Sequence, residues 1–317
     1  RLDPSFNGIF PKVEIIPPIE PLSMPQAMPS KKIVPEIITG AAAVSILETI
    51  GTPMKEHAET ARKLLAEIPE PVRESIREPI GASALIYVLL LDRDKDIRAR
   101  QIGMLREFGS TDVVAEADTF MGYLPELSPR PRLPLIDMSL PVLRQLKAEQ
   151  YSEFKETVNR LIKADEKISL FEYTLIHILI RSLDSFFSRK KKKAIQIYGI
   201  RGVLWECEIV LSVLARAGHS SEEEAAKAFF NGKRMLMEPK IDFEFLRQDE
   251  CSFQDLDRAL DKLDAASPLI KRKLLAACLK TLILDSAIRV EEAELFRAIG
   301  EALGCPIPPW ILFQDAA

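Results

Sequence analysis

The sequence predicts an all-α protein, a helical bundle with a proline-rich N-terminal linker, a small helical subdomain and a larger helical domain. Only 7% of the 317 residues are aromatic and 13 are glycine, while leucine, isoleucine, alanine, lysine and glutamate abound, a vocabulary of helices rather than of sandwiches or barrels. Apolar residues recur at three- and four-residue spacing along most of the chain beyond residue 56. The 22 prolines gather elsewhere, eight of them in the first 35 residues. With 47% apolar and 28% charged residues the chain has the balance of globular proteins, and at about 150 residues per domain its length allows two.

Residues 1–36 carry a proline every few positions, which removes backbone donors and favours an extended, polyproline-like linker. A helical subdomain is expected over 37–138. Its first helix spans Glu56–Ile68, with Ala58, Ala61, Leu65 and Ile68 on one face, and Pro69 and Pro71 end it. A buried helix follows at Ile80–Leu91, then an amphipathic one within Asp92–Phe108, with the charged run D-R-D-K-D as the turn between them. The second proline cluster, Pro125 to Pro141, is the best internal boundary.

The second domain, 139–317, reads as a succession of helices: Lys147–Ala164, Leu170–Phe187, Gly202–Ala217, Glu222–Asn231, Phe253–Ala266, Pro268–Leu284 and Val290–Leu303. Ser169-x-x-Glu172 is a capping box, Ser220 and Ser221 precede E-E-E in capping spacing, and Ser267-Pro268 places a cap before a first-turn proline. Gly304, Pro306, Pro308 and Pro309 form a stop.

A repeat at an offset of 120 residues stands out. Phe154, Val158 and Ile162 precede Asp165-x-x-Ile168-x-x-x-Glu172, followed by Leu175, Ile176, Leu179 and Leu183. The second copy has Leu274, Cys278 and Leu282, then Asp285-x-x-Ile288-x-x-x-Glu292, then Leu295, Phe296, Ile299 and Leu303. Each copy is a helix-turn-helix with one apolar face, and the two are expected to pack face to face about a pseudo-twofold.

Asp165, Glu172, Asp285 and Glu292 are the candidate metal-ligating carboxylates, since paired acids around a turn can hold Ca²⁺ or Mg²⁺. The spacing argues against it. An EF-hand loop begun at Asp165 needs ligands at Lys167 and Ile176, and one begun at Asp285 needs them at Ala287 and Phe296. The residues read instead as turn acceptors and as acids at the positive end of the next helix, and no metal or other cofactor is assigned to this chain.

Catalytic patterns are not found. His57, His177 and His219 form no H-E-x-x-H, and neither G-x-S-x-G nor a cysteine with a nearby histidine occurs. His177, inside L-I-H-I-L-I, is expected to be a packed core imidazole, and His219 to close a helix end. Cys207, Cys251, Cys278 and Cys305 are spaced 44, 27 and 27 residues apart and read as reduced core thiols of a cytoplasmic protein. The net charge of −4 and pI near 5.7 argue against a nucleic-acid coat, so no nucleic-acid partner is expected. The longest apolar stretch, Ala82–Leu91, is too short to span a bilayer. The run Arg189, Lys190, Lys191, Lys192 and Lys193 after Phe186-Phe187 is the candidate contact for an anionic lipid surface, weighed against a solvated helix end. Position 1 is arginine with no signal segment after it, and the chain reads as part of a longer protein.

Several segments resemble a known family: R-L-D-P-S-F-N-G-I-F-P at the start, G-T-P with E-H-A and A-R-K-L-L-A-E-I-P, then I-G-A-S-A-L-I-Y-V-L-L-L-D-R-D-K-D-I-R-A-R-Q, L-P-V-L-R-Q-L-K-A-E-Q-Y-S-E-F, I-K-A-D-E-K-I-S-L-F-E-Y and the closing L-F-R-A-I-G-E-A-L-G-C-P-I-P-P. They are similar to the long C-terminal region of bacterial HtpX-like membrane zinc metallopeptidases, over nearly the whole chain. The resemblance implies that the H-E-x-x-H helix and third zinc ligand lie upstream, in a peptidase domain anchored by transmembrane helices at the cytoplasmic face of the bacterial inner membrane. Zinc would belong to that domain, and no catalytic residue carries over to this chain. The D-x-x-I-x-x-x-E hairpins also resemble the TerB/DjlA-type helical fold, whose turn usually reads Asp-Gly. Glu166 and Ser286 replace that glycine here, which removes the positive-φ option and weakens any metal role drawn from that fold. The expected function is a non-catalytic accessory region that binds a protein partner or self-associates. The alternative is a TerB-like module for divalent metal or anionic lipid.

Overall fold

A computed structural model describes residues 66–123, 132–165, 169–188, 194–219, 221–236, 241–283, 290–305 and 307. Regular structure among them is helical, apart from an isolated bridge between Ile197 and Ala266. The helices are α1 (Glu70–Ser75), α2 (Pro79–Leu89), α3 (Lys95–Phe108), α4 (Thr111–Met121), α5 (Arg132–Leu143) and α6 (Ala148–Ile162), which ends in the 3-10 turn Lys163–Asp165. Next comes a continuous rod: α7 (Leu170–Leu175), a π-helical turn (Ile176–Ile180) and α8 (Arg181–Phe187). The 3-10 turn Ile200–Val203 leads into α9 (Leu204–Gly218), α10 (Glu222–Lys233), α11 (Phe253–Leu263), α12 (Pro268–Leu282) and α13 (Val290–Ala302).

Several local signals act where the sequence places them, although Ser267 precedes α12 without a side-chain capping bond. Asp94 in the charged turn caps α3, its Oδ1 accepting from Asp96 N–H at 2.9 Å and Ile97 N–H at 3.1 Å. Ser169 and Glu172 form a reciprocal capping box at α7, and Ser221 Oγ accepts Glu224 N–H at 3.2 Å at α10. Gly304, at φ +68°, ends α13, and Cys305 N–H returns to Gly300 O at 2.8 Å.

Three helices depart from the expectation. No helix is expected at α1, where Pro71, read as a helix stop, instead sits in the first turn. No helix is expected at α4, and α5 lies within the proline cluster read as a boundary. Pro134 sits in the first turn of α5, where a missing donor costs little, while Pro141 lies inside the helix. A proline in a helix interior costs about 3 kcal/mol. Burial of Leu133, Leu135, Ile136 and Leu143, each contributing about 1.5–3 kcal/mol, outweighs it. The boundary expected between residues 138 and 139 therefore falls inside a buried helix.

The apolar core divides at the rod instead. One cluster joins Ile68, Leu85, Phe120, Leu135, Phe154 and Leu179, with α2 packed on α4, α5 and α6 and α3 on α6. The other surrounds α9, which packs on α10, α11, α12 and α13 and contributes Val210, Val213 and Leu214. In the repeat, the second helices meet: α7 and the π turn pack on α13. The first helices diverge, α6 to the first core and α12 to the second. The turn residues Ile168, Asp285 and Ile288 lie outside the described residues.

One face of α9 is covered by a segment without regular secondary structure, Ile241–Arg247, rather than by a helix. Glu208 Oε1 accepts Glu244 N–H at 2.8 Å and Ser212 Oγ accepts Leu246 N–H at 3.2 Å. Burial pushes the Glu208 carboxyl above the ordinary carboxylate range, the Glu244 N–H pulls it down, and Glu244, Asp242 and Glu206 push it up. The folded state therefore holds this proton more tightly than the unfolded chain. The stabilising contribution is full below the ordinary value of 4.5 and is lost as pH rises through the raised one. Glu208→Gln keeps an acceptor for Glu244 N–H without the charge, so the variant is expected to lose less stability above pH 4.5 than the parent. Parallel plots of urea midpoint against pH would refute this.

Candidate functional site

The rod and α13 meet α11 and α5 along a polar seam between the two cores. Tyr173, His177 and Arg181, four residues apart, form one stripe along the rod, and the wider π turn keeps His177 and Arg181 on the line that Tyr173 begins. Asp257, Asp261 and Asp264 on and just after α11 face them. Tyr173 OH donates to Asp257 Oδ1 at 2.7 Å, and His177 Nε2 donates to the same oxygen at 2.8 Å. A carboxylate only accepts, so Nε2 carries the proton. Arg181 reaches Asp261 at 3.3 Å, Asp264 at 3.6 Å and Ala302 O at 3.2 Å.

Aromatic packing orients the stripe. The Tyr173 ring stacks on Phe253 with centroids 4.6 Å apart and tilts over His177 at 4.4 Å. Burial, then the Asp257 charge, pushes the Tyr173 hydroxyl well above the usual phenol range, so it stays a donor. Further along, Arg297 of α13 clasps Asp137 of α5 at 2.8 and 2.9 Å and donates through Nε to Ile307 O at 2.8 Å. Burial raises the Glu301 carboxyl one turn later, with Arg297 opposing the shift. These contacts join donors on one element to acceptors on another, a chemistry of holding.

Two of the candidate metal residues have other contacts. Glu172 Oε2 accepts Ser169 N–H at 2.7 Å. Glu292 is buried on α13 against the last residue of α9, and a Cβ at Gly218 would overlap its carboxylate as placed. Asp165 ends the 3-10 turn after α6, and Asp285 lies outside the described residues. No group of three or more His, Cys, Asp or Glu among the described residues is placed to hold a metal ion. Arg189, Lys190, Lys191, Lys192 and Lys193 also lie outside them.

His177 is buried and packed on Tyr173, as expected of a core imidazole, and it also hydrogen-bonds to Asp257 across the seam. Its partner lies 80 residues away, and the only local signal was the four-residue spacing of Tyr173, His177 and Arg181. His219 does close a helix, its Nδ1 2.8 Å from Ala215 O. All four cysteines are free, three of them buried, and burial lifts the Cys251 thiol to about 11. No helix among the described residues is long and apolar enough to cross a membrane.

A second feature lies at the surface of the second core. Gln196 and Ile197 N–H donate to Ala265 O at 2.9 and 3.2 Å, and Ser267 N–H donates to Ile197 O at 2.8 Å. This pairing brings the 195–198 stretch alongside the start of α12. Tyr198 is 76% exposed and Leu269 64%, with Ile195 and Trp205 also exposed. Comparison of the chain with known families, with curated proteins and with solved structures finds no match in any of the three.

Proposed function

We propose that this chain is a non-catalytic recognition region of a membrane-bound zinc metalloendopeptidase of the HtpX-like kind, whose role is to bind the peptidase part of the same protein. The observation that carries it is the exposed Ile195, Tyr198, Trp205 and Leu269, because tyrosine and tryptophan are the usual anchors of protein interfaces. The segments that resemble that family support the choice of partner. A proline-rich lead of about 36 residues would keep the partner within reach at high effective concentration. The seam supports the reading as well, since its hydrogen bonds and ion pairs brace the two cores against each other.

Three measurements test it together. The coding sequence ahead of Arg1 is expected to contain H-E-x-x-H and apolar stretches of about 20 residues, and lack of both defeats the proposal. The purified chain supplied with zinc is expected to leave unfolded protein intact, so chelator-sensitive cleavage overturns it. Added in trans to the protein truncated before residue 1, the chain is expected to bind, and Tyr198→Ser with Leu269→Ser to weaken binding at least about tenfold at unchanged Tm. A second reading, docking on anionic lipid, is favoured by the exposure of Phe186 and Tyr198 on either side of the basic run in sequence. Flotation with anionic vesicles that is lost when Lys190–Lys193 become alanine, together with no binding in trans, selects it instead.

A further inference from the structure

We infer that the groove between α9 and α10 is a binding site for extended, aromatic-bearing polypeptide, filled in this state by the chain's own segment Ile241–Arg247. The inference rests on reading the chain as a recognition region and names a class of ligand for it: unfolded stretches of the substrates handed to the peptidase.

The groove addresses backbone rather than sequence. Glu208, Ser212 and Arg216 stand four residues apart on α9. The first two accept Glu244 N–H and Leu246 N–H, and Arg216 Nη2 donates to Leu246 O. Four residues of helix advance about 6 Å, and two residues of extended chain about 6.6 Å, so a polar row at that spacing matches alternate peptide units of a strand. Lys233 at the end of α10 adds a donor to Phe243 O at 3.0 Å. Any extended segment offers these groups.

Side-chain selectivity comes from what the segment buries. Phe243 and Leu246 are buried, whereas Asp242 and Glu244 point to solvent. Phe245 sits between the Phe229 ring, 5.4 Å away, and the Arg216 guanidinium, 4.2 Å above it. Glu222 holds Arg216 in place from the first turn of α10 at 2.8 Å. At the other end the Lys233–Asp242 pair at 2.8 Å is open to solvent on the Asp242 side, a contact that contributes little. The segment thus runs parallel to α9 and antiparallel to α10, held as a ligand would be.

The test uses a labelled synthetic peptide of the sequence Ile241–Arg247 and the 317-residue chain. Phe243→Ala with Phe245→Ala, which loosens the internal segment, is expected to let the chain bind the peptide at least tenfold more tightly than the parent does and to raise its Tm when peptide is added. Arg216→Gln in that background is expected to reduce binding at least tenfold, and an unfolded protein to compete. A folded double variant that ignores the peptide overturns the inference. Should the double variant not fold, hydrogen exchange on the parent decides: Glu244 and Leu246 amides exchanging faster than those of Val210 and Val213 support a segment that lifts alone, and equal rates overturn it. Peptide binding is read on this chain, whereas the protease reading fails on the coding sequence and on binding in trans, so the two failures are distinguishable.

Discussion

Gln101→Met is expected to destabilise the protein by about 3 kcal/mol, because it removes a buried side-chain partner from three backbone groups at once. Gln101 is 1% exposed. Its Nε2 donates to Leu90 O at 3.0 Å and Leu161 O at 2.9 Å, and its Oε1 accepts Asp92 N–H at 2.7 Å. One side chain thereby closes the end of α2, fixes the charged turn and ties both to the end of α6. Methionine fills a similar volume but offers no hydrogen bonds, and an unpaired buried backbone group costs about 1–3 kcal/mol. Asp92 is partly reached by water, so its share is the smallest. Urea unfolding measures the change, and a loss below about 1 kcal/mol would mean that water replaces the amide.

Arg297→Met is expected to cost a similar amount, about 3 kcal/mol, at the seam. The substitution leaves Asp137 without the Nη2 donor that both its oxygens share and Ile307 O without a donor. A third of the Asp137 side chain remains exposed, which keeps the cost at the lower end for a broken buried pair. The informative comparison is the double variant Arg297→Met with Asp137→Leu. Removing the orphaned carboxylate should restore part of the loss, with a coupling of about 1–3 kcal/mol. Burial already raises the Asp137 carboxyl against the opposing Arg297 charge. Without Arg297 it rises further, so the single variant should lose stability as pH increases through the carboxylate range, and the double variant should not. Additive effects of the two substitutions would show that the pair does not brace the seam.

Much of the fold is legible because helix signals are local. The four-residue spacing of Phe154, Val158 and Ile162, the Asp94 cap, the Ser169–Glu172 box and Gly304 each act within a turn or two, and the helices begin and end near them. The failures have a non-local cause. The prolines of 125–141 argued for a joint, yet α5 keeps Pro134 and Pro141 because Leu133, Leu135, Ile136 and Leu143 are buried against α2, a term no window of sequence contains. Of the candidate site, the capping role of Glu172 was legible from a three-residue spacing. The partners of Tyr173, His177 and Arg181 were not, because they lie roughly 80 residues further on.

By itself, then, the sequence determined the helical class, most helix limits and the repeat whose second helices meet at the centre. These follow from propensity, capping and periodicity, which are properties of neighbours along the chain. Only the tertiary structure decided where the cores part, which charges pair across the seam and what covers the polar face of α9. The row Glu208, Ser212 and Arg216 is visible in the sequence as three polar positions in an apolar helix. Its meaning depends on Leu246 arriving 30 residues after Arg216 without regular secondary structure, and burial sets that encounter by long-range packing rather than by local preference.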